Sequence, residues 1–238
     1  MNVTEGNIID AVGRAGTCSS AELLSQLDKS GSITKTTLYW YLNKLTNEKR
    51  LVRVGRGRYS LAEKLPFIPE ITDRMKTVLE LLQGKLPFST FCLWEGTELS
   101  RFQHNIATNN VMYVETQRDS CESVFNILKR EGYEAFVRPD KELIYHYIDL
   151  ADGPVFIKPL PSESPVQVVG GINVPKLEKI LVDIRVDEDF HYLHGTESFY
   201  MLRNAAEVNV INKSTILRYA RRRNIENEIR KDLADLGL

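Results

Sequence analysis

Two neighbouring stretches of the chain carry side chains of the types that contact DNA. Residues 35–47 place lysine, threonine, asparagine and aromatic side chains on one face of a predicted helix, and residues 51–61 form a predicted hairpin with three arginines and a tyrosine. Helix side chains of these types can read base edges, and hairpin arginines can hold phosphate oxygens. The predicted DNA-contacting residues are Lys35, Thr36, Tyr39, Trp40, Asn43, Lys44, Arg53, Arg56, Arg58 and Tyr59.

A second basic cluster occurs near the end of the sequence. Leu217 and Ala220 mark the predicted inward face of a helix, and Arg218, Arg221 and Arg222 fall on neighbouring outer positions. Arginine makes bidentate contacts with phosphate or carboxylate, so these residues could contact DNA or an acidic partner. A solvated helix end, where the dipole favours positive charge, explains the same pattern. The residues alone leave both interpretations open.

A metal-dependent nuclease of the restriction-endonuclease type is the first catalytic class to consider. It needs an acidic residue followed, on a later strand, by an acidic-x-Lys triplet that holds magnesium. Asp140 and then residues 155–158, which end in Lys158, have this outline. Phe156 occupies the position that must coordinate the metal, and a phenyl ring cannot bind a hard cation. The sequence therefore argues against a nuclease.

A nucleotidyltransferase is the second class. It needs a glycine-rich turn followed by two carboxylates, one residue apart on a strand, that bind two metal ions. Gly170 and Gly171 precede Asp183 at a suitable distance, but the partner position is Arg185. Residues 176–184 also have a helical pattern. An active enzyme of this kind is not predicted.

The histidines form no clear metal or catalytic group. His191 and His194 lie near an acidic run, Asp187 to Asp189, but this spacing is more typical of an ordinary surface or helix end. His104 and His146 have no partners in sequence.

The three cysteines, at positions 18, 92 and 121, are far apart and form no CxxC pair, which argues against a disulfide scaffold or a zinc site. Cys121 falls in the first turn of a predicted helix, where its pKa could be lowered. No histidine is adjacent, so a buried thiol is preferred. We therefore predict no catalytic residue, metal or cofactor, and a protein that is not an enzyme.

The elements that position the N-terminal residues begin with a helix predicted over residues 4–12. Thr4 can cap it, and Gly13 and Gly16 stop it. Residues 28–31 are the predicted turn before the helix that carries the polar face.

A capping box predicts the start of a second helix. Ser19 accepts from the backbone N–H three residues later, and Glu22 reaches back to the backbone of Ser19. A third helix is predicted to follow Gly31 and Ser32, because an apolar stripe recurs at helical period. The stripe consists of Leu38, Leu42 and Leu45. Three short helices and a basic hairpin predict a winged helix-turn-helix.

The stretch Leu65–Pro69 predicts a stiff connector, because each proline fixes its own φ and restricts the residue before it. We therefore predict a winged-helix domain over residues 1–64 and a second domain over residues 65–238. Pro69 suits the first position of a helix that Gly84 ends.

The second domain is predicted to mix strands and helices and to end in several helices. Asp119 is the predicted cap of its second helix, which Gly132 ends, and Gly170 and Gly171 form a hairpin turn. Interleaved strands and helices are compatible with an α/β or an α+β arrangement. The whole chain is predicted to be α+β. Predicted strands are 89–93, 110–115, 134–137 and 154–158, and predicted C-terminal helices are 176–184, 197–207, 213–223 and 225–236.

Composition places the chain among soluble globular proteins, with 42% hydrophobic and 26% charged residues. No apolar run approaches the ~20 residues of a membrane span, and no signal-peptide pattern is present, so a cytoplasmic protein is expected. Residues 1–64 hold ten lysines and arginines against six acidic residues, and residues 213–231 hold seven against two. The net charge of −1 thus hides two basic segments around an acidic middle. Local positive charge of this kind is compatible with binding nucleic acid.

Three segments together resemble the AbiEi antitoxins of bacterial type IV toxin–antitoxin systems. They are GRGRYSL (55–61), PLPSESPVQVVGGINVPKLEKILVDI (159–184) and ILRYARRR (216–223). The resemblance extends over nearly the whole chain, and the middle segment is its most specific part.

The resemblance implies an N-terminal winged helix that represses the protein's own operon, and a C-terminal domain that counteracts an AbiEii-type nucleotidyltransferase toxin. The expected partners are therefore operator DNA and such a toxin. The resemblance identifies no binding residues in this sequence. The predicted site therefore rests on the helix and the hairpin alone. Two alternatives stay open: a stand-alone winged-helix regulator whose second domain senses a ligand or a protein, and a nucleic-acid processing enzyme.

Overall fold

The structure is a computed structural model that describes residues 5–27, 33–48, 50–62, 64–103 and 108–238. The predicted Thr4 cap, the turn at residues 28–31, the helix start at Gly31 and Ser32, and His104 lie outside the described residues. The protein is of the mixed α+β class.

The chain divides into two compact units. The first contains Met1–Leu65 with Glu207–Asn209, and the second contains Pro66–Ala206 with Val210–Leu238. No helix among the described residues has both the length and the apolar character needed to cross a membrane.

The first unit contains three helices and a three-stranded antiparallel sheet among its described residues. The strand order is β1-β3-β2, so the last strand in sequence lies in the middle. The first strand was not predicted, because three residues carry too short a pattern to recognise. The elements are α1 (Glu5–Ala15), β1 (Thr17–Ser19), α2 (Ser20–Leu27), α3 (Lys35–Asn47), β2 (Leu51–Gly55) and β3 (Arg58–Leu61).

Local signals account for most helix ends in this unit. The predicted capping box is confirmed: the Glu22 N–H donates to Ser19 Oγ at 3.2 Å, and the Ser19 N–H donates to Glu22 Oε2 at 2.7 Å. Helix α1 ends before Gly16, which has a φ of +69°. Gly13 lies inside α1, so the prediction that it stops the helix is wrong. A single glycine weakens a helix but does not by itself end one.

The apolar stripe predicted for α3 is confirmed, since Leu38, Leu42 and Leu45 are all buried. They pack into one hydrophobic core with residues from the other helices and from the sheet. Because this stripe faces inward, the opposite face of α3 remains at the surface.

The second unit is built on a four-stranded sheet with the order β4-β5-β7-β6. Strand β4 is antiparallel to β5, whereas β5, β7 and β6 are parallel. Helices α4 (Asp73–Lys85), α5 (Cys121–Arg130) and α6 (Lys141–Tyr147) are interleaved with it. The strands are β4 (Cys92–Glu95), β5 (Met112–Thr116), β6 (Ala135–Val137) and β7 (Val155–Pro159).

A hairpin and four helices follow this sheet. Gly170 and Gly171, with φ values of +56° and +82°, form the turn of the hairpin, as predicted. The elements are β8 (Val166–Val169), β9 (Ile172–Pro175), α7 (Leu177–Val186), α8 (Thr196–Val208), α9 (Lys213–Arg222) and α10 (Glu226–Asp235).

Three predicted helix boundaries in this unit are wrong. Pro69 does not begin α4; the helix begins at Asp73, after Thr72, whose hydroxyl accepts the Met75 N–H at 3.2 Å. A threonine hydroxyl satisfies a free backbone donor, which proline cannot do. Gly84 lies inside α4. Asp119 lies in a 3₁₀ turn, Arg118–Ser120, and does not cap α5.

The two faces of the central sheet differ in character. Met112, Val114 and Ile157 point into a purely hydrophobic core. The alternating positions of the same strands carry Glu115 and Lys158, which are register partners on β5 and β7. Buried charges of opposite sign therefore meet on this second face.

Candidate functional site

The outer face of α3 presents four of the predicted DNA-contacting residues. Lys35, Thr36 and Asn43 are exposed, and Trp40 is 58% exposed. The indole of Trp40 meets the ring of Tyr41 edge-on at a centroid distance of 5.0 Å. Trp40 is thus an outward-facing residue and not part of the core.

Two other predicted residues of α3 are already engaged. The hydroxyl of Tyr39 hydrogen-bonds with Ser20 Oγ at 3.1 Å. The ammonium of Lys44 donates to Glu5 Oε1 at 2.6 Å, so its charge is partly balanced within the unit. The structure therefore separates these two from the four outward-facing residues.

The β2–β3 hairpin presents three arginines. Arg53, Arg56 and Arg58 are exposed, and Gly57, with a φ of +68°, allows the tight turn between the strands. The Nε of Arg53 donates to the Gly55 carbonyl at 3.3 Å. No ion pair involves any of the three guanidinium groups within the described ranges. Their charges are therefore open to an external anion.

Tyr59 is the predicted DNA-contacting residue that the structure corrects. It is 5% exposed and belongs to the core of the first unit. It lies on the middle strand, where it pairs with Arg53 on β2 and with Cys18 on β1. Its side chain lies on the face of the sheet that packs against the helices, so it is covered.

The basic cluster of α9 is largely occupied by intramolecular contacts. Arg221 makes two hydrogen bonds to Glu226, at 2.6 and 2.9 Å, and the Nε of Arg222 donates to Ser162 Oγ at 2.7 Å. Arg218 is exposed and has no ion pair among the described residues.

The inward face of α9 differs from the prediction. Ile216, Tyr219 and Ala220 are buried, whereas Leu217 is only half-buried. The residue that points into the fold at the end of this helix is Arg223, which sequence reasoning did not single out. It is 15% exposed and contacts two aspartates.

A charged cleft of about 330 Å³ lies in the second unit, outside the carboxyl ends of the parallel strands. This is the edge at which open α/β sheets bind ligands. Its charged lining residues are Arg118, Arg138, Lys158, Asp187, Glu188, Asp189 and Arg223.

Lys158 occupies the inner wall of this cleft. Its ammonium donates to Asp187 Oδ2 at 2.8 Å and to Asp189 Oδ2 at 3.0 Å. It also lies 5.0 Å from the ring centroid of Tyr113 and 4.8 Å from that of Phe190. Burial alone would lower the pKa of Lys158, but the nearby carboxylates, Asp189 first, outweigh it and raise that pKa well above its ordinary value. The carboxylates therefore favour the positively charged form of Lys158.

A second group of charges lies behind the cleft, in the interior. Lys179 is 1% exposed and forms ion pairs with Glu115 at 2.6 Å and with Asp183 at 2.7 Å. The indole N–H of Trp94 donates to Glu115 Oε1 at 3.1 Å, and the Tyr219 hydroxyl donates to Asp183 Oδ1 at 2.8 Å. Such charges are costly to bury unless they are paired and hydrogen-bonded, and these are.

Arg223 links the interior charges with the cleft. One of its terminal nitrogens donates to Asp187 Oδ1, and the other lies 3.4 Å from Asp183 Oδ1. Burial would raise the pKa of Asp187, but the charges of Lys158 and Arg223 and their hydrogen bonds outweigh it and lower that pKa to about 2. Clusters of ionisable groups with shifted pKa values in a cleft are typical of functional sites, and they also occur in structural networks of ion pairs.

The lowered pKa of Asp187 predicts a pH-dependent contribution to stability. A carboxyl whose folded pKa is about 2, against 3.8 without these partners, stabilises the fold above about pH 4 and loses that effect as the pH falls towards 2. We expect Asp187→Asn to lower the free energy of unfolding by about 2 kcal/mol near neutral pH, with the difference shrinking below pH 4. Urea unfolding over this pH range measures it.

The matched control is Asp235→Asn, which removes an exposed carboxylate of α10 that has no ion pair among the described residues. It should change stability little at any pH. The prediction would be contradicted if the difference in free energy of unfolding between wild type and Asp187→Asn stayed constant from neutral pH down to about pH 3.

The histidines and cysteines among the described residues form no metal-binding group. His191 and His194 have ring centroids 5.2 Å apart, and His194 Nε2 lies 3.2 Å from the Asp187 carbonyl oxygen. In the part of the chain that the structure describes, no three histidine, cysteine, aspartate or glutamate side chains are placed to hold a metal ion. The predicted buried thiol of Cys121 is confirmed, and burial raises its pKa.

Sequence reasoning missed the interior charges, although a signal for them existed. Glu115 and Lys158 stand in otherwise apolar β-prone runs, and Lys179 and Asp183 are four residues apart in an apolar helix. An isolated charge in a buried element requires a partner of opposite charge, so each of these four positions predicts a buried ion pair.

The fold and these sites define a two-unit α+β protein, with a basic helix-and-hairpin surface in the first unit and a charged cleft in the second. The chain belongs to the family of unknown function DUF6577, whose sequence model matches residues 37–236. The matched region includes most of α3, the hairpin and nearly the whole second unit. No curated protein matches the chain.

Proposed function

We propose that the protein is a DNA-binding transcriptional regulator whose first unit is a winged helix-turn-helix. The observation that carries this proposal is the set of three exposed hairpin arginines that have no ion pair among the described residues. Free guanidinium groups on a short hairpin are suited to phosphate oxygens.

The neighbouring helix supports the same function. Its outward side chains include a lysine, a threonine and an asparagine, which can form hydrogen bonds with base edges. In helix-turn-helix proteins, the N-terminal part of the recognition helix contacts the bases. Helix α3 would be that helix, with Lys35 and Thr36 in its first turn, and the β2–β3 hairpin would be the wing.

We further propose that the regulator acts as a type IV antitoxin. In this role it would repress its own operon and counteract a nucleotidyltransferase-like toxin. The support is the resemblance of residues 55–61, 159–184 and 216–223 to the AbiEi antitoxins. The first unit would repress, and the second unit would act on the toxin.

DNA binding by the wild-type chain is the direct test. Fluorescence anisotropy would compare the DNA upstream of its own gene with a scrambled duplex over a series of salt concentrations. We expect tighter binding to the upstream DNA, and affinity for both duplexes that falls steeply with salt because counterions are released. Absence of salt-sensitive binding to either duplex would refute the regulator.

Co-expression with the neighbouring gene tests the antitoxin role separately. We expect the neighbour alone to arrest growth and the pair to grow. If the neighbour is harmless, or if the arrest persists, the antitoxin role is wrong. DNA binding without rescue would then favour a stand-alone regulator.

A further inference from the structure

The cleft of the second unit has two unpaired arginines at its rim. Arg118 follows β5 in the 3₁₀ turn, and Arg138 follows β6 directly; both are exposed and line the cleft. Across the described ranges, neither forms an ion pair or a side-chain hydrogen bond. They therefore differ from the two deeper cations, Lys158 and Arg223, whose charges are balanced by aspartates.

The two rim arginines line the same cleft from either side of β7, because β5 and β6 pair with its two edges. Burial raises the pKa of the Cys121 thiol, and the positive charges of Arg138 and Arg118 both oppose that rise. Both guanidinium groups are thus within electrostatic range of one atom at the start of α5. An anion bound in the cleft would be attracted by both guanidinium groups.

The backbone of Arg138 is held in an unusual conformation. Its φ is +47°, in the left-handed region that a non-glycine residue seldom adopts, and it precedes Pro139, which restricts it further. Its N–H donates to the Ile157 carbonyl at 3.0 Å, so the sheet holds it there. Strain of this kind persists where the surrounding structure enforces it, and it is concentrated at functional sites.

The opposite side of the cleft is acidic. Asp187, Glu188 and Asp189 lie directly after α7, and Glu188 is exposed with no ion pair among the described residues. A bound molecule would therefore meet hydrogen-bond donors at one side and acceptors at the other. The volume of about 330 Å³ suits a small molecule and is near the lower limit of ligand pockets.

We propose that this cleft binds a small phosphorylated molecule of about the size of a nucleoside monophosphate. Arg118 and Arg138 bind its phosphate, and Glu188 and Asp189 accept hydrogen bonds from its hydroxyl or amino groups. A phosphomonoester carries close to two negative charges and three acceptor oxygens, which match two guanidinium groups better than a single carboxylate does. No residue of the first unit takes part, so the ligand-binding proposal does not depend on whether the protein binds DNA.

Calorimetric titration of the full-length protein tests the site. The probes are AMP, GMP, CMP, UMP and ribose 5-phosphate, with inorganic phosphate and adenosine as partial ligands. We expect at least one phosphorylated probe to bind at least tenfold more tightly than inorganic phosphate and adenosine, because it engages both sides of the cleft. If no probe binds more tightly than inorganic phosphate, the proposal is wrong.

The double variant Arg118→Gln/Arg138→Gln should weaken binding of that probe at least tenfold. The matched control is Arg130→Gln, which removes an exposed arginine of α5 outside the cleft and should leave affinity unchanged. Arg138→Lys keeps the positive charge but removes the planar guanidinium group that can make two parallel hydrogen bonds. We therefore expect it to weaken binding less than the double variant does. Thermal melting checks that each variant is folded. A folded double variant with wild-type affinity would overturn the assignment.

Discussion

A chain in which Arg53, Arg56 and Arg58 are all replaced by glutamine is expected to lose about a hundredfold in affinity for DNA of any sequence. The three side chains are exposed and make no ion pair among the described residues, so the substitution removes few internal interactions. Each phosphate that the variant no longer neutralises should flatten the dependence of log affinity on log salt by about 0.9, and three should flatten it by nearly 3. Anisotropy titrations on upstream and scrambled DNA measure both quantities.

The matched control removes three exposed positive charges from the second unit: Lys85→Gln, Lys129→Gln and Arg130→Gln. It alters the net charge equally, so any decrease in affinity common to both variants reflects long-range charge and not direct binding. Lys35→Ala adds a second comparison, because a side chain that reads a base should cost about 1–3 kcal/mol on the operator alone. The proposed wing would be refuted if the hairpin variant kept the wild-type slope of log affinity against log salt concentration.

Replacing Lys179 with methionine is expected to lower the free energy of unfolding of the second unit by about 3–5 kcal/mol. The ammonium lies between Glu115 and Asp183, which are 0% and 1% exposed. Without it, Glu115 has no ion pair among the described residues, and Asp183 keeps only Arg223. Removal of one partner of a buried ion pair is costly because the other charge stays buried.

Urea unfolding measures this loss, with Lys129→Met as the control on an exposed helix position. A triple variant, Lys179→Met/Glu115→Gln/Asp183→Asn, removes the buried charges together and should recover part of the stability. A loss below about 1 kcal/mol in Lys179→Met would show that these charges are not a buried network.

The interior network also bears on the cleft. Asp183 contacts both Lys179 and Arg223, and Arg223 contacts Asp187, which holds Lys158. These contacts hold the cations of the cleft's inner wall in one arrangement. The rim arginines lie outside this network, which leaves their charges available.

The sequence by itself determined the features that depend on near neighbours. The stripe of Leu38, Leu42 and Leu45, the capping box and the hairpin turn at Gly170 and Gly171 were predicted and are observed. Each is specified within a few residues, because helical period, side-chain capping and glycine conformation act locally. The position of the three arginines on a short hairpin was also predicted from near neighbours in the sequence.

Local signals also failed at three helix ends. Pro69 was predicted to begin a helix, but α4 begins after Thr72, whose hydroxyl accepts a backbone N–H. Gly84 and Gly13 suited helix ends, but both helices continue past them. Packing of the apolar face stabilises a helix by more than a single glycine destabilises it.

Only the tertiary structure decided which distant residues meet. Tyr59 is buried because its side of β3 packs against core residues of the helices, and no local pattern indicates that contact. Lys158 meets Asp187 and Asp189 across 29 and 31 residues of chain, and Lys179 meets Glu115 across 64. The cleft exists because parallel strands from three separate segments end at one edge of the sheet. Such contacts depend on sheet order and helix packing, which arise from the whole chain and not from the spacing of neighbouring residues.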